Sequence, residues 1–279
     1  MRHFGWIVAA PVAALLLAAC GDEEAPVSAS PSDAPPSADP DQLYTGVFTV
    51  LENGDHGPQL CTVVAESFPP QCGGPDVLGW NWDEAPDVTS ENDVTWGYYS
   101  VTGTWDGTAL TLAEPPLAGA ATSPVVPDGT VPDFTSPCQP PAGGWTVTDP
   151  ATATETALAA VSAYVDEQAD GAGMWIDSSA EPTVLNARFT GDLEQHEAAL
   201  RAIWGGPLCV SEAGRSTQDL TAIQDELTAA VPDVITIGPE VTANVVQLSV
   251  FVDNGLQEQL DEQYGEGVVQ VSASLRPVE

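Results

Sequence analysis

The sequence contains no lysine, and its basic residues are five arginines set against 41 Asp and Glu. Without lysine there is no Ser–Lys dyad, no Schiff-base chemistry and no phosphate-cradling loop of the G-x-x-x-x-G-K type. The formal charge is −36, and it falls to about −37 once Arg2 is removed with a signal segment. A surface of that sign repels phosphate backbones and anionic headgroups, so nucleic acid is excluded as a partner. Histidine is scarce too, at three residues. No H-E-x-x-H, no G-x-S-x-G and no calcium loop of the D-x-[DN]-x-[DN]-G type occurs. Nor is there a C-x₂-C or a His pair with zinc spacing.

Long apolar runs are also missing after the first twenty residues. Those twenty have the parts of a secretory signal: Arg2 and His3, then an apolar stretch from Trp6 to Ala18, then small residues before a cysteine. The stretch is shorter than the roughly 20 residues a membrane span needs. Leu17-Ala18-Ala19-Cys20 reads as a lipobox, so residues 1–19 are expected to be cleaved and Cys20 to carry lipid. Each buried CH₂ of such a lipid contributes about 0.8 kcal/mol to anchoring. The expected location is the extracytoplasmic face of the cell membrane.

If Cys20 takes lipid, then Cys61, Cys72, Cys138 and Cys209 remain. An even number in an exported chain argues for two disulfides, with three connectivities open. Cys61–Cys72 with Cys138–Cys209 is favoured: the first closes a short loop and the second ties a connector to the domain that follows.

Composition divides the rest. Residues 20–42 are rich in Pro, Ser, Ala and acids, the pattern of a disordered tether. At about 3.1 Å per residue it could lift the folded part about 60 Å off the membrane. Residues 43–112 read as short strands. Tyr44–Leu51 ends at the Asn53-Gly54 turn, Val77–Trp82 is a second run, and Tyr98–Trp105 and Thr108–Leu112 flank an Asp106-Gly107 hairpin. A small OB-like five-stranded β-barrel is expected. Residues 113–150 are heavy in Pro and Gly and read as an irregular connector.

Residues 151–279 change character, and the fold class becomes α+β. Helical stripes occur at Leu158, Val161 and Val165, at Leu193, Leu200, Ile203 and Trp204, at Leu220, Ile223 and Leu227, and at Leu256, Leu260 and Tyr264. Strands fit between them in the order αββαβ, twice. Leu200, Trp204 and Gly205 correspond to Leu260, Tyr264 and Gly265, sixty residues on, which argues for an internal duplication. The order from Leu208 to Leu275 is ferredoxin-like.

Few residues suggest chemistry. His56 sits in a turn, and His196 falls on the apolar stripe of its helix, at the core margin. Abundant acids make any one carboxylate pair uninformative. Trp80 and Trp82 would share one face of a strand, as core or as a platform for a sugar ring or partner protein. No catalytic, cofactor-binding or metal residue is assigned, and no cofactor is expected.

Ser67-Phe68-Pro69-Pro70-Gln71-Cys72-Gly73-Gly74-Pro75, Gly79-Trp80-Asn81-Trp82-Asp83 and Trp105-Asp106-Gly107 resemble a module of exported proteins and lipoproteins of actinobacterial type. Gly206-Pro207-Leu208-Cys209-Val210-Ser211 and the terminal Leu275-Arg276-Pro277-Val278 fit the same group. The resemblance implies an exported, anchored architecture and carries over no catalytic residue. The expected role is binding or scaffolding at the cell envelope, with an envelope protein or polysaccharide as partner. A solute- or cation-binding lipoprotein and a carboxylate-based enzyme are the alternatives.

Overall fold

The computed structural model describes residues 41–119 and 132–278. The expected signal, Cys20 and almost all of the tether lie outside the described residues.

The chain is mixed α+β, mostly sheet, with four helices among the described residues. The first sheet opens with β1 (Leu43–Glu52), β2 (Gln59–Cys61), β3 (Asp76–Leu78) and β4 (Thr89–Glu91). It continues with β5 (Val94–Trp105), β6 (Ala109–Leu112) and β7 (Leu117–Ala118). β1 pairs antiparallel with both β2 and β5, β2 pairs with β3, β3 pairs in parallel with β6, and β6 returns to β5. The pairings therefore form a closed circuit.

Alternation explains β5. Its buried positions are Gly97, Tyr99, Val101, Gly103 and Trp105, every second residue, so one face is core throughout. Gly97 is needed there: a Cβ would run into the Tyr99 ring. The β5–β6 turn is held by the Asp106 carboxylate, which accepts from the backbone N–H of Thr108 and of Ala109, each at 2.8 Å.

Residues 113–150 are not wholly a connector, because β7 pairs with β5. The chain terminus also returns to this sheet. β14 (Arg276–Pro277) pairs with Tyr44 and Thr45 of β1. Phe251 stacks on Trp105 at 5.1 Å and on Phe48 at 6.4 Å, and Leu275 is buried in the same cluster. The core of residues 43–112 is thus completed by residues far along the sequence.

The remainder consists of two like halves. The first is α1 (Glu155–Glu167), β8 (Gly171–Asp177), β9 (Val184–Phe189), α2 (Leu193–Ile203) and β10 (Leu208–Glu212). The second is α3 (Thr217–Ala230), β11 (Val234–Glu240), β12 (Val245–Val250), α4 (Leu256–Tyr264) and β13 (Val269–Ala273). In each half the hairpin pair is antiparallel and the strand after the helix joins in parallel. A strand–helix–strand crossover imposes that parallel pairing. The outcome is two three-stranded sheets, β10-β9-β8 and β11-β12-β13. The ferredoxin-like expectation from Leu208 to Leu275 differs from this: β10 pairs with β9 rather than with strands of the second half.

The stripes read from sequence face inward. Val161, Val165 and Leu200 pack on Leu185, Ala187 and Phe189; Leu220, Leu227 and Leu260 pack on Val246, Leu248 and Val250. Ser216 and Asp219 form a reciprocal capping box at the start of α3. The disulfides are Cys61–Cys72 and Cys138–Cys209, with Cα separations of 5.5 and 5.8 Å. Among the described residues no helix is long and apolar enough to cross a membrane.

Candidate functional site

Trp80 and Trp82 do not share a strand face. β3 stops at Leu78, and Gly79 follows with φ +78°, a turn conformation that ends the extended run. Trp82 opens a turn in which the Ala85 N–H donates to its carbonyl at 3.3 Å. Both indoles are half-buried against the core of the first sheet. Trp80 meets Trp82 edge-on at 5.1 Å and Tyr99 at 5.0 Å. The Trp82 Nε1–H donates to the Glu52 carboxylate at 2.6 Å. Trp80 Nε1 and the Tyr99 hydroxyl are buried without a hydrogen-bond partner. Burial, and then the Asp87 charge, push the Tyr99 hydroxyl above the usual phenol range, so it stays protonated. These rings are mainly packing, and their sequence spacing alone did not reveal the turn between them.

A groove of about 640 Å³ lies between the end of α1 and the first turns of α3. Asp166, Glu167 and Asp225 line it with Thr217, Gln218 and Val165, and no basic residue does. The last turn of α1 carries no basic residue either, so its acids add to the negative end of the helix dipole. Among the described residues no group of three or more His, Cys, Asp or Glu is placed to hold a metal ion.

The third place is a cluster around His196. The sequence put His196 at the core margin, and it is 3% exposed. Its ring lies flat on Phe189, with centroids 3.8 Å apart and planes 4° from parallel. The two ring nitrogens are engaged on opposite sides. Nε2 lies 2.9 Å from Asp170 Oδ2, and Nδ1 lies 2.9 Å from the Tyr164 hydroxyl. An ionised carboxylate can only accept, so Nε2 carries the proton in the neutral ring. Nδ1 then accepts from the Tyr164 O–H.

Local structure fixes each member. Tyr164 belongs to α1 and is half-buried. Asp170 is in the turn before β8, where its carbonyl accepts from the Thr190 N–H at 2.9 Å. His196 shares the buried stripe of α2 with Leu200. The three residues come from one stripe, one turn and another stripe, and no short motif joins them. His56, by contrast, is part of a local turn: its N–H and ring both contact the Asn53 side chain.

Other polar contacts are structural. The Asp177 carboxyl is held below the usual range, first by the Ser179 hydroxyl and also by the backbone N–H of Ser136, Ser179 and Ala180. Arg188 donates from Nη1 to the carbonyls of Val241 and Thr242, tying the first half to the second. Burial lowers its guanidinium pKa, opposed by the Glu240 charge.

No protein-family model matches this chain, and no curated protein matches it.

Proposed function

We propose that this is an exported protein, anchored by lipid on Cys20 at the extracytoplasmic face of the cell membrane, with a binding or scaffolding role at the envelope. The observation that carries the reading is the cysteine arrangement. Four of the five cysteines are paired as Cys61–Cys72 and Cys138–Cys209. Disulfides of this kind persist in oxidising compartments. The cysteine left over is the one that follows Leu17-Ala18-Ala19. The acidic residues after it would act as a spacer, and the partner would be an envelope protein or polysaccharide, not nucleic acid. The likeness to exported actinobacterial-type proteins belongs to the same proposal.

Two finer features of the architecture are part of this reading. The closed circuit β1-β2-β3-β6-β5, with its one parallel joint, supports an OB-like barrel as the first domain. The matching order and pairing of the two αββαβ halves supports an internal duplication as the second.

The test is fractionation of cells expressing Cys20→Ala. The native chain should sediment with membranes, and the variant should be released in soluble form. Retention of the variant in the membrane fraction would remove the anchor from the account.

A solute- or cation-binding role is the second reading, favoured by the acidic groove between α1 and α3. Melting with Ca²⁺ against NaCl at equal ionic strength separates binding from charge screening.

A further inference from the structure

We propose that Tyr164, His196 and Asp170 form a hydroxyl-activating relay, and that Tyr164 accepts acyl groups from carboxylic esters. The arrangement has a nucleophilic hydroxyl, a base within hydrogen-bond reach of it, and a third group that orients the base. Both links measure 2.9 Å. The Asp170 carboxylate sets the tautomer that leaves His196 Nδ1 free to take the tyrosine proton. Phe189 holds the ring from the side.

The second half of the protein shows that the fold does not require this cluster. The buried residues of α2 are His196 and Leu200; those of α4 are Leu256 and Leu260. The sixty-residue offset sets His196 against Leu256, which is 6% exposed in an apolar cluster. The same helix position on the same kind of sheet is thus filled by leucine. A buried polar network must satisfy every member to avoid a desolvation cost, and leucine carries no such requirement. The histidine, its phenol and its carboxylate therefore call for an explanation other than packing.

In the step itself, Tyr164 Oη attacks the ester carbonyl carbon. A C–O bond forms to Tyr164, and the bond from the acyl carbon to the leaving oxygen breaks. The phenol proton passes to His196 Nδ1 and from there to the leaving oxygen. The products are an acyl-tyrosine and an alcohol, with no oxidant or reductant involved. Asp170 is a positioning residue. The proposal stands apart from the anchor, since neither depends on the other.

The full mature chain is incubated with p-nitrophenyl acetate, and acetyl-tyrosines are mapped by mass spectrometry. General-base assistance is worth about 10²-fold or more. Tyr164 should therefore be acetylated about a hundredfold faster than half-buried Tyr98, which serves as the internal control. His196→Leu copies the solution used at Leu256 and should remove that advantage while the far-UV spectrum is kept. Asp170→Asn should lower the Tyr164 rate at least about tenfold and leave Tyr98 unchanged, so the test survives if the histidine variant fails to fold. Acetylation of Tyr164 no faster than Tyr98, or an unchanged rate in Asp170→Asn, would overturn the relay.

Discussion

Replacing both Cys138 and Cys209 with alanine should cost more stability than replacing both Cys61 and Cys72. The two bridges span 71 and 11 residues of sequence. Cross-linking removes loop-closure entropy from the unfolded chain, and the loss grows with the logarithm of the loop. At 25 °C the longer loop corresponds to about 4.4 kcal/mol and the shorter to about 2.8 kcal/mol. Cys138 lies in the segment between β7 and α1, and Cys209 is buried in β10, 1% exposed. The longer bridge therefore holds residues 132–154, which contain no helix or strand, against the first αββαβ half. The assay is urea unfolding of the mature chain and of each double variant. For a chain of this size, a loss of about 4 kcal/mol corresponds to a melting shift of about 8–16 °C. The urea slope should also rise, because an unlinked chain exposes more surface when unfolded. Equal losses in the two variants, or a larger loss for Cys61/Cys72, would refute the chain-entropy reasoning.

Phe251→Ala should destabilise by about 3–5 kcal/mol, because the ring fills the first sheet's core from a distant part of the chain. Intrinsic tryptophan fluorescence and far-UV dichroism should report the loss at one shared midpoint. Ser216→Ala breaks the α3 capping box and should cost about 1 kcal/mol by thermal melting. The Asp177 and Asp219 carboxyls are held low, the first chiefly by the Ser179 hydroxyl and the second chiefly by the Ser216 hydroxyl. A depressed folded-state pKa gives stability that is full above the unfolded value near 4 and is lost as pH falls through the folded value. Asp177→Asn should therefore flatten the fall in melting temperature below about pH 4, measured by calorimetry.

What could be read from the sequence followed the range of the signal. The Asp106-Gly107 hairpin and the helical stripes depend on local pattern and the number of disulfides on counting; the structure contains all of these, with the favoured one of the three connectivities. The return of Arg276–Pro277 to β1 has no local mark, since a two-residue strand has no alternation to detect. The Trp80–Trp82 face was misplaced because two-residue spacing implies a shared face only if the backbone stays extended, and Gly79 turns it. The His196 cluster was half visible. Its stripe placed the histidine inside, but Tyr164 and Asp170 reach it across 32 and 26 residues, with the turn before β8 bringing the carboxylate in. The ferredoxin-like sheet failed for a related reason: element order permits several pairings, and the crossover through α2 sends β10 to β9.

The central proposal is an exported chain that carries lipid on Cys20, with its other four cysteines paired. Intact-mass and peptide mass spectrometry of the protein purified from its membrane fraction tests it directly. The account predicts an N-terminus at Cys20 bearing a diacylglyceryl group. It also predicts Cys61–Cys72 and Cys138–Cys209 peptides that resist alkylation until reduced. An uncleaved N-terminus with a free Cys20 thiol, or four alkylatable cysteines without reductant, would contradict it.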